Sequence, residues 1–279
     1  MQFTKMHGLG NDYVYISLFS EKVNDPAELS RRMSDRHFGI GSDGIVLIGP
    51  ASSGVDADFQ MQIYNSDGSQ AEMCGNASRC VGKYVFDNGL TDKTTVRLET
   101  LGGIKILDLT VKDGKVVSAR VDMGEPVLEP GLIPMNAPGE SFIGQSIEVN
   151  GKSYTATAVS MGNPHLVVPM QGIDGLNLPE IGPAFENHPL FPRRTNTEFI
   201  ENPDMDNIRM RVWERGAGET LACGTGASAS LVASVLAGKA NRKATVHLKG
   251  GKLVIEWDEA TNHVFMDGPA TTVFTGTWV

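Results

Sequence analysis

The sequence has 279 residues, a formal net charge of −9, and 41% hydrophobic against 20% charged residues. That balance allows a sizeable core, in one large domain or two of ordinary size, and excludes a largely disordered chain. A pI of about 5.2 without clustered Lys or Arg counts against nucleic acid as the main partner. No apolar run approaches the roughly 20 residues of a membrane span.

The opening stretch "MQFTKMHGLGNDYVYI" lacks the charged start and apolar block of a secretory signal, so the expected address is cytoplasmic. Within it, "GLGNDYVYI" (8–16) reads as a glycine turn, an asparagine and a strand. "GIVLI" (44–48) is a second strand. The segment "FQMQIYNSDGSQAEMCGNAS" (59–78) alternates like a half-buried strand and crosses a Gly-rich turn. It then enters a helix from near Gly75 that Gly89 would stop. Strand patterns follow at 95–100, 104–111 and 115–123, then a Pro/Gly-rich stretch at 124–140 that marks a junction.

Beyond it the chain repeats itself. "SMGNPHLVV" (160–168) echoes the opening turn, setting Asn163 against Asn11. "IRMRVWERGAGETLACGTGA" (208–227) aligns without a gap on 59–78, at a constant offset of 149 residues, and brings Cys223–Gly224 onto Cys74–Gly75. The second helix runs from near Gly224 towards Gly238, and strands follow at 244–249, 252–258 and 263–268. A repeat this long indicates a duplicated domain, since solenoid periods are far shorter. The reading is α+β: two pseudo-symmetric lobes, each a β-framework around a central helix. The boundaries are 1–120 with 267–279 returning to it, carrying Cys74, and 121–266 carrying Cys223. The active site is expected in the cleft between them.

Three cysteines make too sparse a set for a disulfide framework, and no Cys/His spacing suggests a metal. A helix start presents unpaired N–H groups and the positive end of the macrodipole, so a cysteine there ionises more readily and the adjoining amides can hold a carboxylate. Two such thiols facing one carbon suit removal of a proton from one face and return to the other. With each sulfur about 3–3.5 Å from that carbon, they would stand roughly 6–7 Å apart. Cys80, inside the helix pattern, reads as a small buried hydrophobe.

Seven segments in this order resemble the diaminopimelate epimerase family over essentially the whole chain. They are "HGLGNDYV", "RHFGIGSDG", "YNSDGSQAEMCGNASRC", "VSMGNPHLV", "RRTNTEF", "VWERGAGETLACGTGA" and "MDGPA". The resemblance implies cofactor-independent epimerisation of LL-2,6-diaminopimelate to the meso form, in lysine and cell-wall precursor biosynthesis, with neither pyridoxal phosphate nor metal. By that resemblance Cys74 and Cys223 are the acid–base pair. Gly75, Asn76, Gly224 and Thr225 match carboxylate-holding segments, and Asn11, Asn65, Asn163 and Asn196 match substrate contacts. Glu214 and Arg215 match a pair at the substrate's far end, and His165 with Glu214 matches positions that adjust the cysteines' proton affinity. Phe274 matches an aromatic position at the contact of a homodimer. Gly44 stands where a glutamine often reaches the substrate. That contact, if kept, must come from backbone or a neighbour.

Two other readings remain open on the sequence. One is a proline or hydroxyproline racemase or epimerase of the same architecture, whose substrates lack a distal ammonium. The other is a catalytically silent, ligand-binding or redox-sensing protein.

Overall fold

The computed structural model describes residues 1–279. It divides into two compact units, Met1–Asp122 with Asp267–Val279, and Met123–Met266.

In the first unit, β1 (Gln2–Gly8) and β2 (Asn11–Ser17) form a hairpin. Its two turn residues, Leu9 and Gly10, both have positive φ (57° and 88°), the backbone that a tight two-residue hairpin requires. Helix α1 (Pro26–Ser34) starts on Asp25, whose carboxylate accepts the Glu28 N–H at 3.0 Å, with proline in the first turn. β3 (Gly44–Pro50) lies parallel to β2 and β4 (Phe59–Asn65) antiparallel to β3. A two-residue β5 (Gln70–Ala71) leads into α2 (Gly75–Asp87). β6 (Thr95–Thr100) runs parallel to β4, and β7 (Gly103–Lys112) and β8 (Lys115–Asp122) continue as antiparallel neighbours. The chain's last strand, Thr271–Thr277, pairs antiparallel with β1.

The second unit repeats this order. β9 (Gln145–Val149) precedes β10 (Lys152–Ser160) and β11 (Pro164–Pro169), which form an antiparallel pair. After α3 (Leu178–Glu186), β12 (Asn196–Asp204) lies parallel to β11, and β13 (Asn207–Glu214) antiparallel to β12. A short β14 (Gly218–Glu219) leads into α4 (Gly224–Leu236). β15 (Lys243–Leu248) is parallel to β13, and β16 (Gly251–Trp257) is antiparallel to β15. Hairpin, parallel step, antiparallel step, helix and parallel return therefore occur twice.

The period-2 strands do what their pattern demands. Phe59, Met61 and Ile63 point inward from β4, as Ile208, Met210 and Val212 do from β13. Gly89 and Gly238 end the helices with φ of 70° and 66°, their N–H groups reaching Phe86 O and Val235 O. Helices α1 and α3 were not foreseen from the sequence. α3 lies so close to β13 that a Cβ on Gly182 would stand 2.3 Å from the Trp213 ring.

The second core is built around Phe185, fully buried and edge-on to both Tyr154 and Phe199 at 5.1 Å between ring centres. Phe185→Ala should cost about 3–5 kcal/mol of unfolding free energy, read as a lower urea midpoint.

Candidate functional site

In the first unit the β1–β2 turn brings Asn11 against the start of α2. The approach is close: a Cβ on Gly8 would meet Asn76 O and Arg79 Nη2 at 3.0 Å. Cys74 is the N-cap residue of α2 in extended backbone, and its side chain caps no amide of the helix. Its sulfur instead lies 3.4 Å from Asn11 Oδ1, which Asn76 Nδ2 also approaches at 3.3 Å. Gly75 is the first helical residue. Asn11 Nδ2 donates to Asp43 Oδ2 at 2.8 Å, and Arg36 spans Asp43 and Asp12 at 2.9 Å each.

Asn65, at the end of β4, donates from Nδ2 to Ser69 Oγ at 3.0 Å. It also faces Gly44 across the β3–β4 pair. A Cβ on Gly44 would lie 2.1 Å from Tyr64 O, so a side chain is excluded there unless the strands separate.

In the second unit Cys223 is the N-cap of α4 and is buried. It accepts the Gly226 N–H at 3.4 Å and lies 3.5 Å from Thr225 Oγ1. Burial pushes its thiol well above the ordinary cysteine range, and the neighbouring Glu214 and Glu198 carboxylates push the same way. Burial also raises the Glu214 carboxyl, against the hydrogen bond it accepts from Thr220 Oγ1. His165 is fully enclosed, with Nδ1 2.8 Å from Glu198 Oε1 and Nε2 2.8 Å from Asn163 Oδ1. Gly226 must lack a side chain, since a Cβ would stand 2.5 Å from Glu198 Oε1.

Asn196 donates to Pro164 O at 3.1 Å and accepts the Arg215 N–H at 2.9 Å. It thereby fixes the turn that carries Arg215. The Arg215 guanidinium makes no ion pair and is exposed, its hydrogen bond running to Arg193 O at 3.1 Å.

Two clusters of the expected residues therefore form: Asn11, Cys74, Gly75 and Asn76 in one unit, and Asn163, His165, Glu214, Cys223, Gly224 and Thr225 in the other. Asn65 and Gly44 lie together on β3 and β4. Cys80 is wholly buried, its thiol pushed up to about 11 chiefly by burial. Phe274 is half exposed on the last strand, edge-on to Phe3 at 5.9 Å. All three cysteines are thiols, and no group of three or more His, Cys, Asp or Glu side chains is disposed to hold a metal.

Sequence reasoning missed Asp43, Arg79, Glu198 and Thr220. Glu198 had a visible signal: a lone carboxylate in the strand pattern "TEFI", at a position that strand burial turns inward.

A family model described as diaminopimelate epimerase matches residues 3–129 and 157–273. A diaminopimelate epimerase of Acetivibrio thermocellus is 60% identical over 276 residues, covering 99% of this chain and 98% of its own. One from Desulfovibrio desulfuricans is 58% identical over 99% of this chain and 97% of its own, and one from Methanococcus maripaludis 57% over 99% of each. Among solved structures, a probable proline racemase from Agrobacterium radiobacter has a TM-score of 0.71 at 18% identity, covering 100% of this chain and 92% of its own. A hydroxyproline epimerase from Agrobacterium vitis has a TM-score of 0.68 at 16% identity, covering 99% and 90%. At such identities these two show the fold alone.

The crowding at Gly44 makes its own test. Gly44→Gln should destabilise the protein by about 2–3 kcal/mol through overpacking, seen as a lower thermal midpoint. A glutamine accepted without loss would mean the two strands part freely there.

Proposed function

The chain belongs to the diaminopimelate epimerase family, and from that premise we propose that it interconverts LL- and meso-2,6-diaminopimelate with Cys74 and Cys223 as the two acid–base groups. One observation carries the reading: each repeat sets a cysteine at the first-turn end of its central helix, beside backbone amides able to take a carboxylate. One sulfur, as thiolate, removes the α-hydrogen as a proton and becomes a thiol. The electron pair left on carbon is stabilised by the carboxylate held at the helix ends. The other sulfur, as thiol, delivers a proton to the opposite face and becomes the thiolate, and the reverse reaction exchanges their roles. No electrons leave the system, so the chemistry asks nothing of a redox partner. The reading requires both sulfurs to reach one carbon from opposite sides, in a cleft that excludes water.

The distal end of the substrate falls to Arg215, whose guanidinium is in no ion pair and offers donors to a carboxylate, and to Glu214, which can accept from an ammonium. Asn65 and Asn163 add polar contacts on their own units, and Asn196 serves by fixing the Arg215 backbone. These groups favour diaminopimelate over proline-type substrates, which have no second amino-acid end. His165 and Glu214 tune Cys223. We further propose a cytoplasmic homodimer, the pairing of two chains being supported by the exposure of Val273 and Phe274 on the last strand.

In heavy water, LL-diaminopimelate should take up deuterium at the α-carbon, while proline and hydroxyproline should not. Cys74→Ala and Cys223→Ala should each lower turnover by at least about a hundredfold, whereas Cys80→Ala should keep it. Normal epimerisation by either of the first two variants would defeat the assignment. Deuterium entering only proline-type substrates would shift the substrate class.

A second measurement addresses the tuning of Cys223. Removing a neighbouring negative charge favours the thiolate, so Glu214→Gln should speed alkylation of Cys223 by iodoacetamide at pH 8, followed by peptide mass spectrometry. A slower reaction would contradict the assigned electrostatics.

A further inference from the structure

Resting on that reading of Cys74, we propose that Asp43 and Arg79 are positioning residues that fix the side-chain amides of Asn11 and Asn76. They thereby decide which polar atoms Cys74 and a bound substrate meet. A side-chain amide is nearly symmetric in shape but not in hydrogen bonding, since one end accepts and the other donates. A guanidinium only donates, and an ionised carboxylate only accepts.

The chain of contacts begins at Arg79, whose Nη2 donates to Asn76 Oδ1 at 3.0 Å. That leaves Asn76 Nδ2 to donate to Asn11 Oδ1 at 3.3 Å. Asn11 Nδ2 in turn donates to Asp43 Oδ2 at 2.8 Å, an oxygen that also accepts the Asp12 N–H at 3.1 Å. Arg36 closes the far end on Asp43 Oδ1 at 2.9 Å. Every bond runs in one sense from cation to anion. Turning either amide over would set donor against donor at one end and acceptor against acceptor at the other. The outcome at the site is definite: the atom of Asn11 that meets the Cys74 sulfur is Oδ1, an acceptor to which a thiol can donate.

The cation at the inner end is not needed to build the helix start. Arg79 has no exposed surface, and burial works against its charge. It is held by Pro269 O at 3.2 Å and Gly75 O at 3.5 Å, with the Asp267 carboxylate supporting the charge. The matching position of α4 is Ser228. Its hydroxyl donates to Gly224 O at 3.0 Å, as that of Ser78 donates to Cys74 O at 3.0 Å. A helix of this repeat thus forms over a serine at that point. A buried guanidinium costs several kcal/mol unless its donors are used, and here they are used to orient Asn76.

The experiment reads the relay directly in ligand-free protein carrying 15N-labelled asparagine, with resonances assigned by Asn11→Ser and Asn76→Ser. Asp43 is partly exposed, so Asp43→Ala should fold, which circular dichroism verifies. Its removal should shift the side-chain amide of Asn11 and also that of Asn76, which does not touch it. Arg79→Lys should shift Asn11 from the other end. In a Cys223→Ser background, alkylation of Cys74 by iodoacetamide should quicken in Asp43→Ala combined with Asn76→Ser, where Asn11 is released at both ends and can turn a donor towards the sulfur. With LL-diaminopimelate, kcat/KM of Asp43→Ala should fall between about tenfold and a hundredfold, with a nearly unchanged melting midpoint. An unmoved Asn76 resonance in folded Asp43→Ala, or an unchanged alkylation rate at Cys74 in the folded double variant, overturns the relay. If the unaltered protein exchanges no α-hydrogen, it is the two-base reading that fails, and the amide and alkylation measurements still decide the relay.

Discussion

The first turn of an α-helix carries N–H groups that its own backbone cannot satisfy, and both sites in this protein are arranged around that constraint. Most helices settle it with Ser, Thr, Asp or Asn at the N-cap, a choice worth about 1 kcal/mol. α1 follows the rule with Asp25. The two central helices do not: each begins on a cysteine, a weak acceptor. Cys223 takes one amide at long range, and Cys74 takes none. Stability is given up at the two helix ends where donors pointing outward are useful, and kept where the helix is only scaffold.

Duplication set the same frame twice, but the charges around it have diverged. Beside Cys74 lie the Asn11 and Asn76 amides, with a buried cation and a carboxylate at opposite ends of that pair. Beside Cys223 stand two carboxylates and an imidazole, and Gly226 leaves the room that Glu198 occupies. A reaction that starts with one sulfur charged and the other neutral needs unequal surroundings. A perfectly symmetric pair would have no preferred state from which to begin.

Much of the frame was legible in the sequence because it rests on local rules. Period-2 burial marked β4 and β13, glycine marked both helix ends, and the gap-free repeat tied the two together. What escaped depended on partners distant in the chain. α1 and α3 are short helices whose stability comes from packing: Met33 is buried under the sheet, and Gly182 lies flat on Trp213. Periodicity over nine residues carries little weight against that. The bonds of Asn196 to Pro164 O and the Arg215 N–H likewise show only once β11 is paired with β12. Arg79 and Glu198 were hidden for the same reason. A buried charge announces itself by its neighbours, and those neighbours lie on other elements.

The likeness to a probable proline racemase and a hydroxyproline epimerase, at 18% and 16% identity, is one of fold alone. Helix ends and the strands behind them belong to the fold, and so can be shared by proteins with different ligands. Selection among ligands must then rest on side chains that the fold does not dictate. In the proposed reaction the turn between β13 and β14 is such a place. Glu214 ends one strand, and Asn196 holds the Arg215 N–H. The Arg215 side chain leaves the sheet without an acidic partner. An exposed guanidinium outside any ion pair remains open to an anion that comes to it. In the proposed reaction that is the far carboxylate of diaminopimelate, a group that a single-headed amino acid does not possess.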